Sequence, residues 1–286
     1  GQMQMWCYAG LPTTAGQTDA GACPTQELID AYEVVDAGMT TAQPLLNLET
    51  PYADADHLTP NINTAATALY NPADPYANRD PRLKASIYYN GSKLHLERNT
   101  LLSTKPGGNC ELNTNNARYT CTGYYTRKFA HYKSGRSGNL DGYFKVFRLA
   151  ELYLNYAEAA NEAASTTTAP NEAVDAVNTV RARVGMPAIP YGLSKDEFRL
   201  RLRNERRVEL AFEEHRFFDV RRWKILDKTD KTVTGMRANT DGTYTRFVVD
   251  NSRKAYTDKY LLYPIPGDEA IRLQNAAGRS CQNPGW

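Results

Sequence analysis

Three carboxylates, Glu205, Glu209 and Glu213, recur at every fourth residue in "NERRVELAFEEHRFFDVRRW", which runs from Asn204 to Trp223. On a helix they share one face with Phe198, Leu202, Phe212, Arg216, Val220 and Trp223. An ordinary amphipathic helix keeps its charges on the face opposite its large apolar residues. Paired carboxylates can do general acid–base work, and a glycosidase holds two of them about 5–10 Å apart across a sugar. Carboxylates on one helix, however, line up along its axis and do not face each other over a cleft. Arg206 and Arg216 lie on or beside the same face and can neutralise them. The pattern therefore reads as a buried ionic frame of Glu205, Arg206, Glu209, Glu213 and Arg216 that fixes helix packing.

Other chemistries find less support. Asp54 and Asp56 in "YADADH" are spaced like the first ligands of a calcium loop, but the Gly and the distal Glu of such a loop are missing, so a solvated turn is expected. Five cysteines (Cys7, Cys23, Cys110, Cys121 and Cys281) include no CxxC pair, and the four histidines are scattered, which argues against zinc. Cys110 and Cys121 flank a polar stretch and are candidates for a disulfide in an oxidising compartment, as are Cys7 and Cys23; five reduced thiols are the alternative. There is no GxSxG and no phosphate-binding GxxxxGK. A net charge of +2 excludes an electrostatic nucleic-acid binder, and no apolar run reaches membrane-spanning length. No cofactor and no catalytic residue is expected.

The elements that must position these residues fall into three zones of a 286-residue chain. Residues 1–140 are rich in Pro, Gly, Asn, Asp and Tyr. A short helix is expected within Pro24–Val34, and a hairpin around Asn90-Gly91, with Leu83, Ala85, Ile87 and Tyr89 alternating before it, Leu94 and Leu96 after it, and Pro81 at the start of its first strand. Residues 141–227 predict three helices: about Tyr143–Ala163, with small Ala157, Ala159 and Ala160; a second from about Pro170 with the stripe Ala173, Val177, Val180 and Val184, stopped by Gly185 and Pro187; and a third from Ser194, where Glu197 completes a capping box, to about Trp223. Their arrangement suggests tetratricopeptide-like helical hairpins. Residues 228–286 return to turns and short strands, with a hairpin at Asp241-Gly242 and an extended edge segment at "YLLYPIP". The fold class is mainly α, with long irregular loops and small β-hairpins.

Binding fits the loops better than catalysis does. Nineteen Tyr against eight Phe favours rings with a polar edge, which suit wet binding surfaces. Trp6 and Tyr8 sit in a Gly- and Cys-punctuated loop. Tyr52, Tyr70, Tyr76, Tyr124 and Tyr125 stand beside Asn, Asp and Arg. Flat rings next to hydrogen-bonding groups suit the C–H face and hydroxyls of a sugar.

Seven ordered stretches carry a resemblance: "PTQELIDAYEVVD", "PYANRDPRLKASIYYNG", "TGYYTRKF", "FRLAELYLNYAEAANEA", "AVNTVRARVG", the opening stretch, and the end "YLLYPIPGDEAI…QNPGW". Together the chain resembles the C-terminal half of the SusD/RagB family of outer-membrane nutrient-binding lipoproteins. The resemblance implies a non-enzymatic protein, exposed at the cell surface, that captures a glycan and passes it to a SusC-like TonB-dependent transporter. A peptide-capturing relative and a helical protein–protein scaffold are the alternatives. The lipid anchor would lie on the N-terminal half, since no Cys here matches its position. The same resemblance assigns Asn204–Trp223 to the scaffold, with Asp219, Arg222 and Trp223 locking its end. It makes Trp6 and Tyr8 the first ligand-contacting candidates. Rings carried on loops beside polar groups add Tyr52 and Tyr76, with Asn78 and Arg79 as hydroxyl partners, while "NRDPR" belongs to a family motif and so makes a structural Arg79 the alternative.

Overall fold

The computed structural model describes residues 23–93, 101–117, 119–129, 145–229 and 231–286. Three helices form its scaffold: α3 (Leu149–Ala163), α4 (Asn171–Ala182) and α5 (Lys195–Glu209). The sequence cues hold locally. Pro170 stands at the N-cap of α4, and Gly185 follows the helix at φ +73°, a left-handed conformation that an L-residue resists. The Ser194 hydroxyl accepts from the Glu197 backbone while the Glu197 carboxylate accepts from the Ser194 backbone, closing the capping box of α5. Leu154, Ala157, Ala173, Val177, Val180, Phe198 and Leu202 interlock as one apolar core. Ala157 is the close-approach residue of α3; Ala159 faces solvent. The first helix begins at Leu149, and Tyr143 lies outside the described residues.

A second core gathers the smaller elements. α1 (Gln26–Ala31) leads into an antiparallel pair, β1 (Val34–Val35) and β2 (Ala42–Gln43), with Val34 opposite Gln43. Its Ile29, with the adjoining Tyr32, packs with Tyr76, Leu83, Ile87, Tyr124, Val208 and Met236. The long segment that follows β2 is held by side chains that accept backbone N–H groups, as Asn47, Asn63 and Asn71 do.

The hairpin expected before Asn90-Gly91 does not form as drawn. Residues Pro81–Ser86 are helical (α2), because Asp80 caps the Arg82 N–H and Pro81 occupies the first helical position. The strand shrinks to β3 (Ile87–Tyr88), which pairs with β4 (Tyr125–Thr126) far along the chain. The Asn90-Gly91 turn does exist, with Gly91 at φ +88°, but Gly91 N–H donates to Leu102 O at 2.7 Å. Leu94 and Leu96 lie outside the described residues.

The third helix also stops early. After α5 the chain adopts left-handed conformations at Phe212 (φ +63°) and Glu214 (φ +67°) and restarts as α6 (His215–Arg222), followed by α7 (Leu226–Thr229). The expected C-terminal hairpin is present as β5 (Val233–Ala238) and β6 (Tyr244–Asp250), joined through Gly242 at φ +89°. β5 crosses the Thr122 backbone so closely that a Cβ on Gly235 would meet Thr122 O at 2.5 Å. "YLLYPIP" forms no strand: it runs from a 3-10 turn (Asp258–Leu261) into α8 (Gly267–Ala277), where Pro266 can cap a helix but cannot donate to a ladder.

Candidate functional site

The three carboxylates of the opening stretch are bound by cations from four other segments. Glu205 accepts from Arg82 Nη1 at 2.5 Å and from Arg181 Nη1 at 2.9 Å. Glu209 meets Arg82 at 3.0 Å, Arg148 at 2.6 Å and Arg183 at 2.9 Å. Glu213 meets Lys128 and Arg148, each at 2.6 Å. Arg206 reaches Asp219 at 3.2 Å and the Asn155 side chain at 2.6 Å. Arg82 comes from α2 in one core and Arg181 from α4 in the other, so Glu205 joins the two. Burial by itself would raise the carboxyls of Glu209 and Glu213, but hydrogen bonds from Arg148 and neighbouring positive charge outweigh it and hold both below their ordinary values. Every oxygen that could move a proton is committed to a cation, which is the geometry of a frame. Arg216 is the exception: the break at Phe212–Glu214 puts it on α6, away from Glu209.

Arg216 instead lines a cleft of about 260 Å³ between the loop around residues 44–57 and α5, α6 and α7. The floor comes from α1 and the loop. Asp30 accepts two hydrogen bonds from Arg246, at 2.7 and 2.8 Å, and one from the Tyr52 hydroxyl at 2.8 Å. Glu27 Oε1 accepts from Thr234 N at 3.0 Å and Thr234 Oγ1 at 2.6 Å, and lies 3.1 Å from His57 Nδ1. The Tyr52 and His57 rings stack, with centroids 4.2 Å apart and 15° between planes. Burial, then the Asp30 and Glu27 carboxylates, push the Tyr52 phenol well above its ordinary value, so it stays a hydrogen-bond donor. The opposite wall carries Arg203, Asn204 and Arg207 from α5, Arg216 from α6 and Lys228 from α7.

The expected ligand residues are dispersed. Trp6 and Tyr8 lie outside the described residues. Tyr52 lines the cleft. Tyr76 is a correction: its ring stacks on Tyr89 at 4.2 Å, meets Tyr124 and Tyr244 edge-on and is buried, so the core consumes it. Arg79 is another: it is buried and donates to the carbonyls of Ile29, Tyr32 and Pro75. Asn78 is exposed, at φ +53°, on the far side of the same turn. Tyr124 and Tyr125 are fully buried. The cysteine pairing is likewise corrected. Cys110 is buried among Tyr88, Leu102 and Tyr125, whereas the Cys121 thiol hydrogen-bonds that of Cys23, and no disulfide joins Cys110 to Cys121. The Thr120 hydroxyl accepts the N–H groups of Thr122, Gly123 and Tyr124, which closes a tight turn around Cys121. Asp54 accepts from the backbone of Asp56, Leu58 and Thr59, which makes its loop a self-capped turn.

The basic wall was missed in the sequence, although a signal was there. Leu200, Arg203, Asn204 and Arg207 fall at i, i+3, i+4 and i+7, a helical face with no acid on it, next to the acidic face that drew attention.

The chain matches the SusD family over residues 2–286. It belongs to that family. Among solved structures, this SusD-family chain is similar to a SusD-like protein from Bacteroides fragilis, with 30% identity, a TM-score of 0.70, and coverage of 93% of this chain and 47% of that one. A second structure from B. fragilis, described as a SusD-like carbohydrate-binding protein, shares the fold at 24% identity and a TM-score of 0.61, covering 86% of this chain and 46% of its own. SusD-like protein P2 of Formosa agariphila is 34% identical over 146 residues, which make up 49% of this chain and 25% of that protein. The chain thus spans about half the length of the solved relatives it matches. Among the described residues no helix is long and apolar enough to cross a membrane.

Proposed function

We propose that these residues belong to the C-terminal half of a non-catalytic, cell-surface glycan-binding protein that delivers its ligand to a SusC-like TonB-dependent transporter. Membership of the SusD family along the whole chain carries this reading. The carbohydrate-binding relative supports it through a shared fold. The cleft supports it chemically, because stacked Tyr52 and His57 stand beside the amides of Asn47 and Asn204, and rings next to hydrogen-bonding groups suit sugars.

Affinity electrophoresis against a panel of polysaccharides tests the reading. At least one polysaccharide should retard the protein. Trp6→Ala and Tyr8→Ala, in the loop expected to face the ligand, should each weaken binding by about 1–2 kcal/mol, as loss of an aromatic contact does. Capture of peptides with no retardation by any polysaccharide would replace the glycan with a peptide ligand. Normal retardation of both variants would move the site away from that loop.

A further inference from the structure

The cleft against α5 is charged in a way that a neutral sugar does not require. Arg203 and Arg207 project from one face of α5, Arg216 from α6 and Lys228 from α7, and all four line the same space of about 260 Å³. The acids on the opposite wall are already committed. Asp30 is held by both terminal nitrogens of Arg246, and Glu27 by Thr234 and His57. Glu49 stands exposed at the rim. Arg207 and Lys228 have no ion-pair partner among the described residues. Arg203 lies over the Trp223 ring, 4.9 Å from its centroid, and its Nε is buried with no hydrogen-bond partner. Elsewhere in this fold guanidinium groups are paired with care, as Arg82, Arg148, Arg181 and Arg206 show. Two cations, Arg207 and Lys228, that stand in one cleft with two stacked rings and have no ion pair among the described residues are suited to an anion attached to a ring.

We propose that this cleft binds the acidic group of a charged saccharide, a uronic-acid carboxylate or a sulfate ester, with Arg207 and Lys228 as its charge-reading residues. The inference rests on the glycan-binding reading and narrows its ligand class. Guanidinium donors match the planar geometry of a carboxylate and the oxygens of a sulfate, and such charge-assisted hydrogen bonds are about twice as strong as neutral ones. The Tyr52 ring and the Asn204 side chain line the same cleft as the cations. The volume of about 260 Å³ lies just below the ~300–1,000 Å³ usual for ligand pockets, so the cleft takes one unit of a chain and not a long segment.

Isothermal titration of the 286-residue chain tests this with three oligosaccharides of matched length: an oligogalacturonate, a sulfated galactan fragment and a neutral malto-oligosaccharide. At least one anionic ligand should bind, more weakly as salt is raised, and the neutral one should bind at least about tenfold more weakly. A preference for the galacturonate assigns the carboxylate, and a preference for the galactan assigns the sulfate. The double variant Arg207→Gln/Lys228→Gln should lose about tenfold or more in affinity for the charged ligand, while Arg207→Lys, which keeps the charge but not the guanidinium fork, should lose less than the double variant. Neither side chain supports the ion frame, so thermal unfolding of the variants should match the parent. Neutral and anionic ligands binding equally, or charged binding that survives the double variant, would overturn the charged cleft and leave glycan binding standing. A protein that binds none of the three, and no member of the polysaccharide panel, would remove the glycan reading and this inference together.

Discussion

Glu209 shows how one side chain can be both essential and chemically idle. It is almost fully buried, and three guanidinium groups surround it. Replacing it with Ala strands Arg82 and Arg148 against fewer acids, and breaking a buried pair from one side typically costs about 3–5 kcal/mol. Glu209→Ala should lose that much stability in urea unfolding. Arg183→Ala touches the same carboxylate, but its side chain is 57% exposed, so its loss should cost no more than about 1 kcal/mol. Equal effects of the two substitutions would contradict the picture of a frame anchored from inside.

At the scale of elements, the break between α5 and α6 decides which charges build the frame and which line the cleft. A continuous helix would carry Arg216 along the face of Glu209. Two left-handed residues swing it onto a new axis instead, next to Lys228 of α7. Holding a non-glycine residue in that conformation costs roughly 1–2 kcal/mol. Glu214 is exposed, sits at φ +67° and makes no side-chain capping bond. Glu214→Gly should therefore raise the stability read by urea unfolding, by no more than about 1 kcal/mol, because glycine relieves the strain but frees the unfolded chain. A loss of stability would mean that this side chain holds the break open. The Ser194 box, the Gly185 stop and the Asp241-Gly242 turn needed no tertiary knowledge, since each is closed by atoms within a few residues. The helix at Pro81–Ser86 was legible in principle too: Asp80-Pro81 is a helix start, and the alternation beyond it drew the reading towards a strand.

For the whole molecule, the frame makes stability depend on acid. Glu209, Glu213 and Glu158 all have folded-state values held below normal, and Asp30 does so against Arg246. Groups depressed on folding bind protons first in the unfolded chain. Their stabilisation is complete above the unfolded carboxylate range of about 3.9–4.3 and drains away as pH falls from there through the lower folded values. The urea midpoint should be flat from neutral pH to about 5 and drop steeply below about 4. A midpoint that held at pH 3 would show that the carboxylates are not linked to folding. Because the charges join two apolar cores, protonation should loosen both together, as one transition read by near-ultraviolet circular dichroism and by tryptophan fluorescence.

The sequence by itself determined the helical scaffold, its caps, the C-terminal hairpin and the existence of an ionic frame. Apolar periodicity, capping residues and turn dipeptides act over a few positions, and ordered motifs over the chain carried the family. Only the tertiary structure decided the partners. Arg82, Arg181 and Arg148 reach Glu205 and Glu209 from as many as 127 positions away, and nothing in local spacing encodes that meeting. It also decided that Tyr76 and Arg79 serve the core while Tyr52 lines a cleft, since one composition of Tyr, Asn and Arg suits either place. Cys121 found Cys23 and not Cys110 for the same reason. A chain folding back on itself sets which side chains become neighbours, and burial then sets which of them remain available to a ligand.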